Sequence, residues 1–183
     1  MAIVMTAEDS IGAPKGVVRV VHRCEDAMVN QRLDLSACFL ASFPDAIFML
    51  MRNTQLESLD LSQNVIRKIP SKVPRKFTGI SSLNLASNRL FNLPDEISEL
   101  ENLTHLDLSG NDFTSIPWCL YRMTQLRFLN LSNNHIVDVD ITGLKRLDCE
   151  IHLENNPLTT ECCAQLARET LPKVSYTPMK QEQ

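Results

Sequence analysis

Glycine, aromatic residues and long apolar runs are all scarce in this chain. Only 5 of the 183 residues are glycine, 2 are tyrosine and 1 is tryptophan. The chain has no glycine-rich phosphate loop, no G-x-S-x-G motif and no H-E-x-x-H motif. No apolar run approaches the roughly 18–20 residues that a membrane-spanning helix requires. The sequence therefore predicts a protein without a membrane span, without catalytic machinery and without a cofactor.

Spaced cysteine pairs and a secretory leader are also missing. The six cysteines contain no C-x-x-C pair, which removes the usual zinc signature, and Cys162 directly precedes Cys163. We expect all six to be free thiols. The start of the chain lacks the basic and long apolar regions of a signal peptide. These features predict a cytoplasmic protein, with a nuclear location left open.

A leucine-containing segment recurs along most of the chain, in four clear copies with degenerate ones at both ends. The clear copies are Leu59-Asp60-Leu61-Ser62-Gln63-Asn64-Val65-Ile66, Leu83-Asn84-Leu85-Ala86-Ser87-Asn88-Arg89-Leu90, Leu106-Asp107-Leu108-Ser109-Gly110-Asn111-Asp112-Phe113 and Leu129-Asn130-Leu131-Ser132-Asn133-Asn134-His135-Ile136. A step of about 23 residues between copies is typical of a solenoid built from stacked coils.

Each copy predicts a short strand followed by an inward turn. In Leu-x-Leu both leucines point to one side of a strand, and the residues between them point to the other. The next polar residue of the motif is buried, so we expect its amide to bond backbone groups of neighbouring coils. This predicted turn ladder consists of Cys38, Asn64, Asn88, Asn111, Asn134 and Asn156.

The remaining half of each unit and the two ends are less regular. An apolar residue and a proline follow most turns, and apolar pairs one helical turn apart then cover the convex side. Between Ser71 and Thr78 the unit is longer and contains Pro74, which predicts an irregular loop and no helix. We predict repeats over 31–158, flanked by disorder over 1–15 and a flexible tail over 175–183. Residues 16–30 are predicted to cover the first coil, as a helix or, because of their valines, as a strand. Residues 159–174 are predicted to form a helix over the last coil, with Thr160 as its N-cap.

The pattern Leu-x-x-Leu-x-Leu-x-x-Asn-x-Leu-x-x-Leu-Pro resembles the short, intracellular class of leucine-rich repeats over about residues 30–160. The resemblance implies an α/β solenoid of about six repeats with a parallel concave sheet and helical caps. It also implies a protein-binding module, because the class includes scaffolds and phosphatase regulatory subunits. The spaced cysteines that extracellular members carry after Asn156-Pro157 are missing here.

The residues that depart from the repeat consensus on the predicted concave face are the candidate binding site. Phe128 is the only large aromatic there, and binding hot spots favour such residues. It is either a partner anchor or packed against a flanking segment. The polar columns beside it are either partner contacts or solvated consensus residues. We predict a protein-binding site formed by Phe128, His105, Asp107, Asn130, His152 and Glu150.

Other partners are less favoured by the sequence. His105 and His152 lie two repeats apart, about 10 Å at the usual strand spacing, so we expect no shared metal ion. Lys68, Lys72, Arg75 and Lys76 form a basic cluster that either contacts nucleic acid or acidic lipid or is simply solvated. A formal net charge of −4 disfavours nucleic acid. We therefore expect a monomer that binds an unidentified protein; regulation of a phosphatase or GTPase and RNA scaffolding are the alternatives.

Overall fold

Seven short parallel strands form one open sheet in the computed structural model, which describes residues 13–169, 171 and 173–178. The strands lie in chain order. Their register pairs the same motif position in successive repeats, as in Leu59 with Leu83 and Leu106 with Leu129. The strands are β1 Arg32–Asp34, β2 Ser58–Asp60, β3 Ser82–Asn84, β4 His105–Asp107, β5 Phe128–Asn130, β6 Glu150–Leu153 and β7 Val174–Tyr176.

The middle residue of each strand from β1 to β5 is a leucine that points into the core. Leu59, Leu106 and Leu129 are fully buried, whereas the residues on either side of each are partly or fully exposed. This alternation is the period of two that the Leu-x-Leu motif predicts. Burying one such side chain contributes roughly 1.5–3 kcal/mol to the stability of the fold. A single coil has too little apolar surface to bury its own leucines, so each coil stacks on its neighbours.

Buried asparagine side chains form a ladder of hydrogen bonds between neighbouring coils. The Asn64 side-chain oxygen accepts hydrogen bonds from the backbone N–H groups of Cys38 at 3.1 Å and Leu40 at 2.9 Å. Its amide nitrogen donates to the carbonyls of Leu35 and Leu61, both at 2.9 Å. Each buried ladder amide thus joins its own coil to the preceding one, and the same pattern recurs at Asn88, Asn111, Asn134 and Asn156.

Short helical turns line the convex side, and one of them corrects the sequence prediction. The segment expected to be an irregular loop is a short helix instead. Pro74 is its third residue, and the N–H groups of a first helical turn have no partner within the helix, so proline costs little there. The convex turns are α2 Ala46–Leu50, α3 Lys72–Lys76, the 3₁₀ turns Asp95–Glu99 and Trp118–Arg122, and α4 Ile141–Leu144.

The N-terminal cap is a helix, α1 Ala13–Asn30, and not the alternative strand. Its Cys24 and Ala27 are fully buried, while Arg23 donates to the Ser36 carbonyl at 2.8 Å and to the Cys38 sulfur at 3.4 Å. The helix thereby closes the open end of the first coil. It begins three residues before the expected boundary at residue 16, and the rest of the predicted disordered segment lies outside the described residues.

The C-terminal end differs from the prediction. Helix α5 Thr160–Glu169 stops short of residue 174, and β7 occupies residues expected to form the helix end and a flexible tail. β7 pairs with the otherwise exposed edge of β6 and supplies partners for its backbone groups. The Ile151 N–H, for example, donates to the Lys173 carbonyl at 2.8 Å. The helix cap is Thr159, not Thr160, because the Thr159 hydroxyl accepts from the Cys162 N–H at 3.1 Å. Over the described ranges, no helix is both long and apolar enough to cross a membrane.

Candidate protein-binding site on the concave sheet

The strand register brings all six predicted site residues onto three neighbouring strands. His105, Phe128 and Glu150 are aligned in one column across β4, β5 and β6. Asp107, Asn130 and His152 are aligned in the next column. The predicted residues therefore form one continuous area of the concave face.

Phe128 is only partly exposed, because its ring lies between two histidines. The ring centroid is 6.2 Å from that of His105, with an interplanar angle of 26°, and 5.2 Å from that of His152, with an angle of 46°. The structure therefore places Phe128 against both histidines, and a role as partner anchor stays a prediction. Three rings form a row across β4, β5 and β6, in which His105 is exposed and Phe128 and His152 are partly exposed.

Asp107 and Asn130 are committed to hydrogen bonds within the sheet. One Asp107 oxygen accepts from the Ser109 N–H at 2.9 Å, and the Asn130 oxygen accepts from the Ser132 N–H at 3.0 Å. The Asn130 amide also donates to the second Asp107 oxygen at 3.3 Å. The same bond to the backbone two residues on recurs at Asp34, Asp60 and Asn84. These side chains hold the strand-to-turn geometry, which is a structural role that needs no ligand.

His152 lies between two carboxylates. Its Nε2 is 2.9 Å from Glu150 Oε1, and its Nδ1 is 3.2 Å from Glu154 Oε1 and 3.1 Å from the Ser175 hydroxyl. Partial burial alone lowers the pKa of His152, but the hydrogen bonds and charges of the two glutamates outweigh it, so the pKa lies above its ordinary value. Burial alone raises the pKa of the Glu154 carboxyl, but the hydrogen bonds that this carboxylate accepts outweigh burial, so its pKa lies below the ordinary value.

A shallow, open depression of about 610 Å³ extends from this cluster to the C-terminal edge of the sheet. Lys173 and Asp148 form an ion pair on its rim, and the hydrogen bond from Lys173 lowers the pKa of Asp148. Sequence reasoning missed this rim, because β7 carries no Leu-x-Leu signal. The lining residues are Arg127, Asp148, Glu150, His152, Glu154, Lys173, Val174 and Ser175.

A smaller depression of about 200 Å³ lies on the other side of Phe128. His105, Asp107 and Phe128 line it together with residues of β3. Phe128 thus stands between two concavities, one lined by charges of both signs and one lined by a single carboxylate, that of Asp107. A flat sheet face with two shallow concavities fits a protein surface better than an enclosed small molecule.

Neither metal binding nor thiol chemistry is supported on this face. The Phe128 ring separates His105 from His152, and in the described part of the chain no group of three or more potential ligands is placed to hold a metal ion. All six cysteines are free thiols in the structure. Burial raises the pKa of four of the thiols to about 11, which keeps them protonated at neutral pH; these are Cys24, Cys119, Cys149 and Cys162.

Three of the four residues of the basic cluster have partners within the fold. The Lys72 ammonium lies 4.3 Å from the centre of the Phe48 ring. Arg75 pairs with Glu96 at 2.8 Å, and Lys76 donates to the Arg52 carbonyl at 2.9 Å. These contacts give the cluster a structural role on the convex side.

The parallel sheet, the buried leucine column and the asparagine ladder together define a leucine-rich-repeat protein. Residues 78–136 match the family model described as "Leucine rich repeat". A solved leucine-rich-repeat protein of Leptospira interrogans superposes with a TM-score of 0.62 at 28% identity, covering 75% of this chain and 34% of that one.

Curated relatives share the repeats over part of their length. Leucine-rich repeat-containing protein 20 of Mus musculus is 34% identical over 92 residues, which are 48% of this chain and 50% of that protein. Adenylate cyclase of Schizosaccharomyces pombe is 38% identical over 112 residues, which are 57% of this chain but 6% of the cyclase. The chain thus spans half, or far less, of these relatives.

Proposed function

We propose that this chain is a non-catalytic protein-binding module that engages its ligand through the concave face of β4 to β7. The row of three rings centred on Phe128, with a depression on either side, carries the proposal. Leucine-rich-repeat domains generally mediate protein–protein interaction, which supports this proposal.

The chemistry of the face indicates which ligand it fits. The partly exposed ring of Phe128 favours an apolar or aromatic side chain. Glu150 is aligned with Phe128 on the next strand, and Glu150 and Glu154 both contact His152. These two carboxylates favour a lysine or arginine of the partner. We therefore propose a ligand segment with an apolar residue next to a basic one. We also propose a cytoplasmic location. Regulation of a partner enzyme and RNA scaffolding remain predictions from the sequence alone.

Affinity capture with quantitative mass spectrometry tests this function. The wild-type chain is compared with a double variant, Phe128→Ala with Glu150→Lys, and with the control Glu101→Lys, an exposed glutamate outside the concave columns. We expect a set of proteins retained by wild type and control and lost by the double variant. Equal capture by all three would contradict a concave binding face.

A further inference from the structure

A second surface lies along the edge where the chain leaves each strand, named here the exit edge. After each ladder residue the chain places one side chain outward, the next inward and a third outward. The outward residues of the first repeat are Phe39 and Ala41. Backbone bonds hold the columns in register, since the Val65 N–H donates to the Leu40 carbonyl at 2.9 Å. The two outward columns are Phe39, Val65, Arg89, Asp112 and His135, and Ala41, Arg67, Phe91, Thr114 and Val137.

The first three repeats carry large apolar side chains at these outward positions. Phe39 is 87% exposed, Phe91 is 65% exposed and Val65 is 38% exposed. Among the residues the structure describes, neither phenylalanine ring contacts another aromatic ring or a cation. These side chains therefore stabilise the fold little, although the residues adjacent to them, Leu40, Ile66 and Leu90, are buried.

Phe39 also carries an unfavourable backbone conformation. Its φ is +57°, in the left-handed region that bulky side chains rarely adopt. In the other repeats the positive φ falls on the residue before the ladder asparagine, as at Gln63 and Ser87, and in the first repeat Ala37 already fills that position. The strain at Phe39 is thus additional to what the repeat requires, and it presents an aromatic ring to solvent.

Unpaired cations surround the apolar side chains. Arg67, Lys68 and Arg89 are exposed and, within the described ranges, none of their side chains has a hydrogen-bonding or ion-pair partner. The exit-edge segments of the first three repeats, 39–42, 65–68 and 89–92, contain no aspartate or glutamate. Further along the same edge the charge reverses, with Asp112 3.7 Å from His135. The lysine, the arginines and the two exposed phenylalanines therefore lie at one end of the edge only.

We propose that this apolar and basic part of the exit edge binds an acidic segment of a partner protein that carries an apolar side chain. Arg67 and Arg89 meet its carboxylates, and Phe39 and Phe91 pack on the apolar residue. The surface spans two repeat spacings, about 10 Å, which is the length of about three extended residues. Asp112 on the same edge and the formal net charge of −4 oppose docking on a flat anionic membrane.

The test selects short random peptides displayed on phage against the full chain and measures binding of the enriched peptides by fluorescence polarisation. We expect enrichment of peptides with glutamate or aspartate beside an apolar residue. The variants are Arg67→Glu with Arg89→Glu, and Phe39→Gly with Phe91→Ser. Each pair should weaken binding about tenfold or more. Phe39→Gly removes the ring and suits the positive φ, so the fold is kept.

Matched controls and a lipid probe make the result decisive. Trp118→Ser removes an equally exposed aromatic, 65%, from the convex side, and Arg146→Glu reverses an exposed charge there; both should bind like wild type. Enrichment of basic peptides, no enrichment, or enriched peptides that still bind the exit-edge variants would overturn the proposal. So would binding to phosphatidylserine vesicles that the same variants abolish, which would assign the surface to membranes.

Discussion

The concave face and the exit edge are built from the same repeats, yet their side chains differ in how far they interact with the rest of the fold. On the concave face the polar residues bond one another, as Asn130 does with Asp107 and His152 does with Glu150. On the exit edge of the first three repeats, exposed phenylalanines and unpaired arginines contact little of the fold. The comparison separates residues that the fold needs from residues that it merely tolerates.

A residue that the repeat consensus supplies is therefore weak evidence for a binding site, whichever face it occupies. Asp107 lies at the centre of the predicted site, but its oxygens are used by the Ser109 N–H and the Asn130 amide. Departures from the consensus, such as Phe128 and Phe39, are more informative because the repeat does not require them. If this distinction holds, stability and binding should respond to different substitutions.

The largest effect is expected at the ladder, which both faces depend on. Asn111→Ala leaves the Leu90 N–H and the Leu85 and Leu108 carbonyls without their side-chain partner, at a cost of about 2–3 kcal/mol. Urea denaturation measures the loss. The exposed Asn102, changed to alanine, is the control and should have almost no effect. Equal losses at the two positions would contradict a structural ladder.

A smaller loss is expected on the concave face. Phe128→Ala removes the ring between His105 and His152, and aromatic pairs of this kind contribute about 0.5–1.5 kcal/mol beyond their buried area. We expect a lower urea midpoint together with weaker ligand capture. Loss of capture without any loss of stability would show that the ring packs less on its neighbours than the structure indicates.

The His152 cluster should make stability depend modestly on pH. Because the pKa of His152 is raised in the folded state, its stabilising effect is complete below the ordinary value near 6.5 and is lost as pH rises through the folded-state pKa. Wild type should therefore lose stability relative to His152→Gln between about pH 5.5 and about pH 8.5. Denaturant midpoints at both pH values measure this, and a difference that grows with pH would refute the sign.

The smallest effect is expected on the exit edge. Phe39→Gly removes an exposed ring and relieves a strained φ, while glycine costs some chain entropy, so the net change should stay within about 0.5 kcal/mol. Thermal unfolding compared with wild type measures it. A large destabilisation would place Phe39 among the residues that the fold needs and would remove the contrast between the two surfaces.

Periodicity made the core of this fold predictable, because each leucine and asparagine recurs with one structural task. The ends were less predictable: β7 has no leucine repeat, and α5 stops before the residue expected. The irregular loop predicted from Pro74 was wrong, because proline is tolerated in a first helical turn and the sequence does not show where that turn begins. The site residues were located by register alone, whereas the stacking of Phe128 and the ion pairs around His152 depend on rotamers that a sequence does not specify.

Photo-crosslinking tests the concave binding face most directly. A benzoylphenylalanine residue replaces Phe128 in one full-length chain and Arg122, on the convex side, in another. Both chains are irradiated in cell extract, and the products are analysed by mass spectrometry. We predict a defined protein adduct at position 128 that is missing at position 122. The same adducts at both positions, or none at position 128, would contradict ligand binding through the concave sheet.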